Sequence, residues 1–130
     1  MGYTVECMEE GFSLELEPEV RAWLESLPRR EYDRVEFYGD LLADQADALG
    51  EPYSRHLGGK LRELRFHLPQ RQVRITYWLA PNRRVVLLTV FPKTRARERF
   101  EVERARKAQA ECESRHPHAT AVYDRDKEEM

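Results

Sequence analysis

The residues best suited to chemistry lie in or just after three short strand-like runs, 61–68, 72–79 and 84–91. A period of two puts Glu63, Arg65 and His67 on one face of the first run, and Leu64, Phe66 and Leu68 on the other. In the second run Arg74, Thr76 and Trp78 oppose Val73, Ile75, Tyr77 and Leu79. Thr89, Phe91 and Lys93 share a parity at the end of the third. With the apolar sets turned inward, one sheet face collects Arg65, His67, Arg74, Trp78, Phe91 and Lys93. Arginines on a firm sheet grip phosphate through paired hydrogen bonds. Aromatic rings stack on unpaired bases. A lysine adds a point charge with three donors, and an acid or base when its pKa falls. Such a face suits single-stranded RNA. Each member alone has a plainer reading. An arginine on an exposed strand is a solvated charge or a partner for Glu63. A lone His67 is a surface histidine, and Trp78 and Phe91 pack under a helix.

Charge distribution points the same way. The formal net charge of −2 over 130 residues conceals strong polarisation. Residues 1–51 carry 4 basic and 14 acidic side chains, residues 52–108 carry 15 and 4, and residues 109–130 carry 3 and 6. The middle block therefore calls for a polyanion partner, unless acidic and basic segments neutralise each other within the fold. No apolar run reaches 18 residues, so no transmembrane helix is expected. Residues 1–10 hold three glutamates and no apolar stretch, unlike a secretory signal. Cys7 and Cys112 stand far apart without metal-ligand spacing, as reduced thiols of a cytoplasmic protein do.

The elements that position these residues follow from periodicity. Tyr3, Val5 and Cys7 alternate weakly, and Phe12, Leu14 and Leu16 alternate clearly, predicting a strand over 12–16. Pro18 suits a first helical turn, and Val20, Trp23, Leu24 and Leu27 form one apolar stripe that Pro28 ends. A second helix is predicted over 31–48, with Tyr32, Val35, Tyr38, Leu42, Gln45 and Leu49 inward and Gly50 as its stop. Residues 51–60 read as a connector. The three strands follow with short turns, as antiparallel neighbours do. The last of them is apolar on both parities, as a central strand covered on both faces is. A polar helix over 95–113, with only Phe100, Ala105, Ala108 and Cys112 as apolar edge, should lie on the surface or dock loosely. From Ser114 onward the composition is that of a flexible tail. The expectation is one α+β domain over 1–113, with two N-terminal helices on one face of a small, mostly antiparallel sheet and a C-terminal helix.

Three segments in order carry a family resemblance. They are Gly58-Gly59-Lys60-Leu61-Arg62-Glu63-Leu64-Arg65, then Arg74-Ile75-Thr76-Tyr77, then the apolar strand ending Phe91-Pro92-Lys93-Thr94. Over residues 12–110 the chain resembles the phage-derived, HigB-like branch of the RelE/ParE toxin superfamily. That resemblance implies the RelE-like fold and a cytoplasmic mRNA endoribonuclease of a type II toxin–antitoxin pair. It further implies action on the ribosome and inhibition by a cognate helix-turn-helix antitoxin, with no metal or other cofactor and no membrane partner. The ribose 2′-hydroxyl attacks the adjacent phosphate, giving a cyclic phosphate and a free 5′-hydroxyl. By position, Arg65 and Arg74 are the implied phosphate clamps and Lys93 the implied proton carrier or electrostatic stabiliser. His67 is a second candidate base. Arg55, Lys60, Arg62, Arg95 and Arg97, with Trp78 and Phe91 as stacking rings, are expected to bind RNA. Pro92 departs from the pattern, since many relatives carry a second basic residue there. Two other readings remain open: a ParE-like toxin acting on a protein target such as gyrase, and a non-catalytic RNA-binding phage accessory protein.

Overall fold

The computed structural model describes residues 11–115. Its elements are β1 (Ser13–Leu16), α1 (Pro18–Ser26), α2 (Arg29–Gln45), β2 (Ser54–Gly58), β3 (Leu61–Leu68), β4 (Arg71–Ala80), β5 (Arg84–Pro92), a 3-10 turn (Arg95–Arg97) and α3 (Glu98–Arg115). The strands form one sheet in the order β1-β5-β4-β3-β2, antiparallel except where β1 runs parallel to β5. The alternation at 3–7 and the tail beyond residue 115 lie outside the described residues. Ser114 and Arg115, expected in the tail, continue α3.

α1 starts at Pro18, whose missing N–H falls where a helix leaves its donors unpaired anyway, and Leu27 closes it by donating its N–H to the Leu24 carbonyl. α1 and α2 bury Val20, Leu24, Tyr32, Val35 and Leu42 against Leu64, Phe66, Val73, Ile75, Tyr77, Val85 and Leu87 of the sheet. This is the main core, and it uses the strand parity expected from sequence. Tyr77 is buried here, its hydroxyl bonded to Ser54 Oγ.

Two differences from the sequence reading matter for function. The predicted connector contains β2, an edge strand paired Ser54↔Leu64 and Arg55↔Glu63. Its residues are too polar to announce a strand; the partner ladder holds it in place. The second difference is α3, which covers half of the opposite sheet face instead of docking loosely. Ala105 and Cys112, flanked by Val102 and Ala108, pack on Leu61, Trp78, Ala80, Val86 and Leu88. Phe100, assigned to that apolar edge, is instead exposed, with the Arg97 guanidinium over its ring. α3 is pinned by ion pairs of Arg104 with Glu19 and of Glu113 with Lys60, and by the Arg106 guanidinium donating to the Leu57 carbonyl.

β5 carries a bulge. Thr76 pairs with Thr89 but Tyr77 pairs with Leu87, leaving Leu88 as the extra residue. Val85, Leu87 and Val90 therefore serve the main core, while Val86 and Leu88 serve the smaller one.

Candidate nucleic-acid interface

The ladder arranges the unpaired half of the α3-side face in three rows. Directly opposed residues of antiparallel strands share a face. The first row is Arg55, Glu63, Thr76 and Thr89; the second is Arg65, Arg74 and Phe91; the third is His67 and Gln72. Lys93 extends the third row, because its N–H donates to the Gln72 carbonyl at 2.9 Å. Strand alternation thus brings Arg65, Arg74, His67 and Lys93 to one end of one face, away from the residues on which α3 packs.

Glu63 is the anion beneath this cluster. It is only 2% exposed, with its Oε2 3.8 Å from Arg65 Nε and 4.0 Å from Arg74 Nε. Neither distance is a hydrogen bond, and both Glu63 Oε2 and Arg65 Nε are buried without a hydrogen-bond partner. Burial pushes the Glu63 carboxyl up, against the opposing pull of Arg74 and Arg65. Burial, and then the like charge of Arg65, lowers the Arg74 guanidinium. Arg74 is only 5% exposed, so it does not project from the sheet as an exposed clamp would. It donates to the Val73 carbonyl and to Gln72 Oε1, and still forms part of a groove wall. Arg65 is half-buried and also lies 3.7 Å from Glu51 Oε1.

Two adjoining grooves open here. One, of about 320 Å³, is lined by Tyr38, Pro52, Tyr53, Arg65, Phe66, His67, Gln72 and Arg74. The other, of about 510 Å³, runs past His67, Gln72, Arg71, Pro92 and Lys93. His67 and Gln72 belong to both, so the two grooves are continuous along the end of the β3–β4 hairpin. His67 and Lys93 are exposed.

Several sequence-predicted contacts fall elsewhere. Trp78 has the expected parity but is 3% exposed, because it sits at the end of β4 that α3 covers; its Nε1 donates to Cys112 Sγ at 3.4 Å. Phe91 is 4% exposed and cannot offer a ring face to a base. Arg62 opposes Tyr77, on the helix side of the sheet, and donates to the Ala46 carbonyl at 3.3 Å, beside the C-terminal end of α2. Lys60 is engaged with Glu113, near the Trp78 ring, at the opposite end of β3. Arg55 is exposed in the first row of the face. Arg97 is exposed beside Phe100, and the Arg95 side chain lies outside the described part of the structure. Sequence reasoning missed Tyr53 and Tyr38. The signal for Tyr53 is an aromatic just before a strand that its own polar residues do not announce.

Charge neutralisation within the fold is also real. Glu15 pairs with Arg84, Glu31 with Arg71 and Glu19 with Arg104, so acidic side chains of the N-terminal third offset three cations of the basic block. Among the described residues no cluster of His, Cys, Asp and Glu is arranged to hold a metal ion. Cys112 is buried, and its thiol is pushed up to about 11 by that burial. No described helix is long and apolar enough to cross a membrane.

The fold has solved counterparts. The structure of a mutant of the E. coli toxin RelE in the free state covers 72% of this chain and 97% of its own, with a TM-score of 0.52 and 13% identity. A chain of the toxin–antitoxin complex RelBE2 from Mycobacterium tuberculosis matches at TM-score 0.48 and 20% identity, covering 64% of this chain and 99% of its own. A chain of the archaeal RelE–RelB complex from Pyrococcus horikoshii matches at 0.47 and 21%, covering 65% and 97%. No curated protein matches the sequence significantly. Residues 22–113 match the family described as "Phage derived protein Gp49-like (DUF891)", a span that includes α2, β2 to β5 and nearly all of α3. The chain belongs to this phage-derived Gp49-like family, on a fold shared with the toxin RelE.

Proposed function

We propose that the chain is the toxin of a type II toxin–antitoxin pair and acts as a metal-independent endoribonuclease on mRNA, in association with the ribosome. The observation that carries this reading is the convergence of Arg65, Arg74, His67 and Lys93 on one uncovered half-face beside a continuous groove. The shared fold with a protein named a toxin supports it further.

Cleavage by the neighbouring 2′-hydroxyl needs a group to take that proton, cations for the extra charge on the phosphoryl oxygens, and a donor for the leaving oxygen. Arg65 and Arg74 supply fixed cations, held side by side by the ladder and by the Glu63 carboxylate under both. Donors held in place before the reaction act more strongly where water is excluded, which suits the nearly buried Arg74. His67 and Lys93, at the junction of the grooves and at the far end of one, are the groups available to move protons. The partner that silences the enzyme in this reading is a cognate helix-turn-helix antitoxin.

The test is induced expression in cells with mapping of mRNA 5′ ends. New 5′-hydroxyl ends within coding regions, abolished by Arg65→Ala, are expected. Growth arrest without new ends, accompanied by DNA damage, would instead mark a toxin acting on a protein such as gyrase.

A further inference from the structure

We infer that the 320 Å³ groove is a subsite for one unpaired nucleobase, with the Tyr53 ring as its stacking platform and Arg65 holding the attached phosphate. The inference rests on the RNA reading above and adds residues that the reading does not use.

Tyr53 lies just before β2, where the edge strand stops covering β3. Its carbonyl accepts the Arg65 N–H at 2.8 Å, and the next residue, Ser54, begins the paired ladder. The backbone under the ring is therefore fixed, while the ring itself is 42% exposed and lines the groove. Tyr38 lies beside it, with ring centroids 6.3 Å apart. Tyr38 is held in turn by stacking on buried Phe66, at 5.0 Å and 18°, and by the edge of Phe37 at 5.2 Å. A ring that stands exposed on a braced aromatic neighbour loses little freedom when a base lies on it.

The same groove is also lined by Arg65, Arg74, His67 and Gln72. Its lining thus combines aromatic rings with cations, and Gln72 Oε1 accepts from Arg74. This is the chemistry of a nucleotide: a flat apolar base at one end and an anionic phosphate at the other. The volume lies at the low end of the roughly 300–1,000 Å³ typical of small-ligand sites, enough for one nucleotide and too little for a duplex. Through His67 and Gln72 the groove continues to Lys93, so the strand has a path to its next phosphate.

The test measures binding by the full-length protein of two fluorescein-labelled single-stranded RNA hexamers, one intact and one with a central abasic ribose. Wild type should prefer the intact strand. Tyr53→Ala should weaken the intact strand roughly tenfold to a hundredfold, the range that loss of one base–aromatic stack produces, and should erase the preference over the abasic strand. Tyr53→Phe should keep both properties. Thermal melting of Tyr53→Ala should match wild type, since the ring is exposed. If Tyr53→Ala binds both strands as wild type does while Arg65→Ala binds weakly, the base subsite is wrong and the RNA reading survives. If wild type binds neither strand, both fall.

Discussion

Arg65 and Arg74 stand directly opposite each other across the β3–β4 ladder, cation against cation, with the buried Glu63 carboxylate 3.8 and 4.0 Å from their Nε atoms. Like charges opposed on a sheet repel. Glu63 lies between the two guanidiniums, and the exposed Glu51, 3.7 Å from Arg65, is a second carboxylate that an incoming phosphate would have to displace. The two arginines should nevertheless differ on removal. Arg65→Ala should cut RNA cleavage by about 10²–10³, the cost of losing a charge-stabilising donor, with little change in melting temperature. Arg74→Ala should lower both, because Arg74 is itself buried, bonds the Val73 carbonyl and Gln72 Oε1, and pulls on the Glu63 carboxyl more strongly than the half-buried Arg65 does. Paired activity and thermal-melt measurements check this; equal stability of the two variants would contradict it.

Lys93 is exposed, so Lys93→Ala should change stability by no more than about 0.5 kcal/mol. Its effect on cleavage should be at least about a hundredfold. Lys93→Arg separates the two roles open to it. An arginine restores positive charge but cannot give up its proton in a protein, so recovery of rate marks an electrostatic role. Failure to recover, with an equal loss in His67→Ala, marks a proton relay shared by the two. Lys93→Ala should also reduce the salt dependence of single-strand binding by about 0.7 in the slope of log K against log salt.

Trp78 belongs to the core, and its removal should unfold rather than disarm. Trp78→Ala is expected to cost about 3–5 kcal/mol in urea denaturation, through the cavity left under α3 and the lost bond to Cys112. The folded fraction should bind RNA as wild type does. A selective loss of RNA affinity at unchanged stability would return Trp78 to the interface.

Glu63 should give stability an uncommon pH dependence. Its folded-state pKa is raised, so the folded protein holds that proton more tightly than the unfolded chain does. The stability it contributes is present below the ordinary value of 4.5 and is lost as pH rises through the higher folded value. Glu15 is raised by burial too and adds a slope of the same sign. Glu63→Gln removes one contribution and leaves the other. Urea titrations of both proteins from pH 4.5 upward should therefore show wild type losing stability relative to Glu63→Gln. A difference independent of pH would mean that the two arginines outweigh burial.

The legible part of this molecule was its alternation. Arg65, His67 and Arg74 share a face because side chains alternate along a strand, and two apolar-polar runs, 61–68 and 72–79, are enough to show it. What alternation cannot give is coverage along a strand. Trp78 has the same parity as Arg74, yet α3 shields one and leaves the other at a groove. α3 has too thin an apolar edge, chiefly Ala105 and Cys112, for its docking position to be read from its own residues. β2 was illegible for a related reason: Ser54, Arg55 and His56 have no strand signature, and the ladder to Leu64, Glu63 and Arg62 holds them. Tyr53 became visible only when that edge was known to end beside it.

The extra residue at Leu88 sets the phase of everything after it. Before the bulge, even-numbered positions of β5 look toward α3; after it, Thr89 and Phe91 do, and Lys93 follows them in step. The same chain paired in unbroken register through that point would have the same composition, the same charge and the same hydrophobic content. It would deliver Val90 to the side of Arg74 and send the lysine to the back of the sheet, among the helices. The ability of this molecule to gather its cations thus depends on a miscounted residue in its most apolar strand, at a position that carries no charge at all.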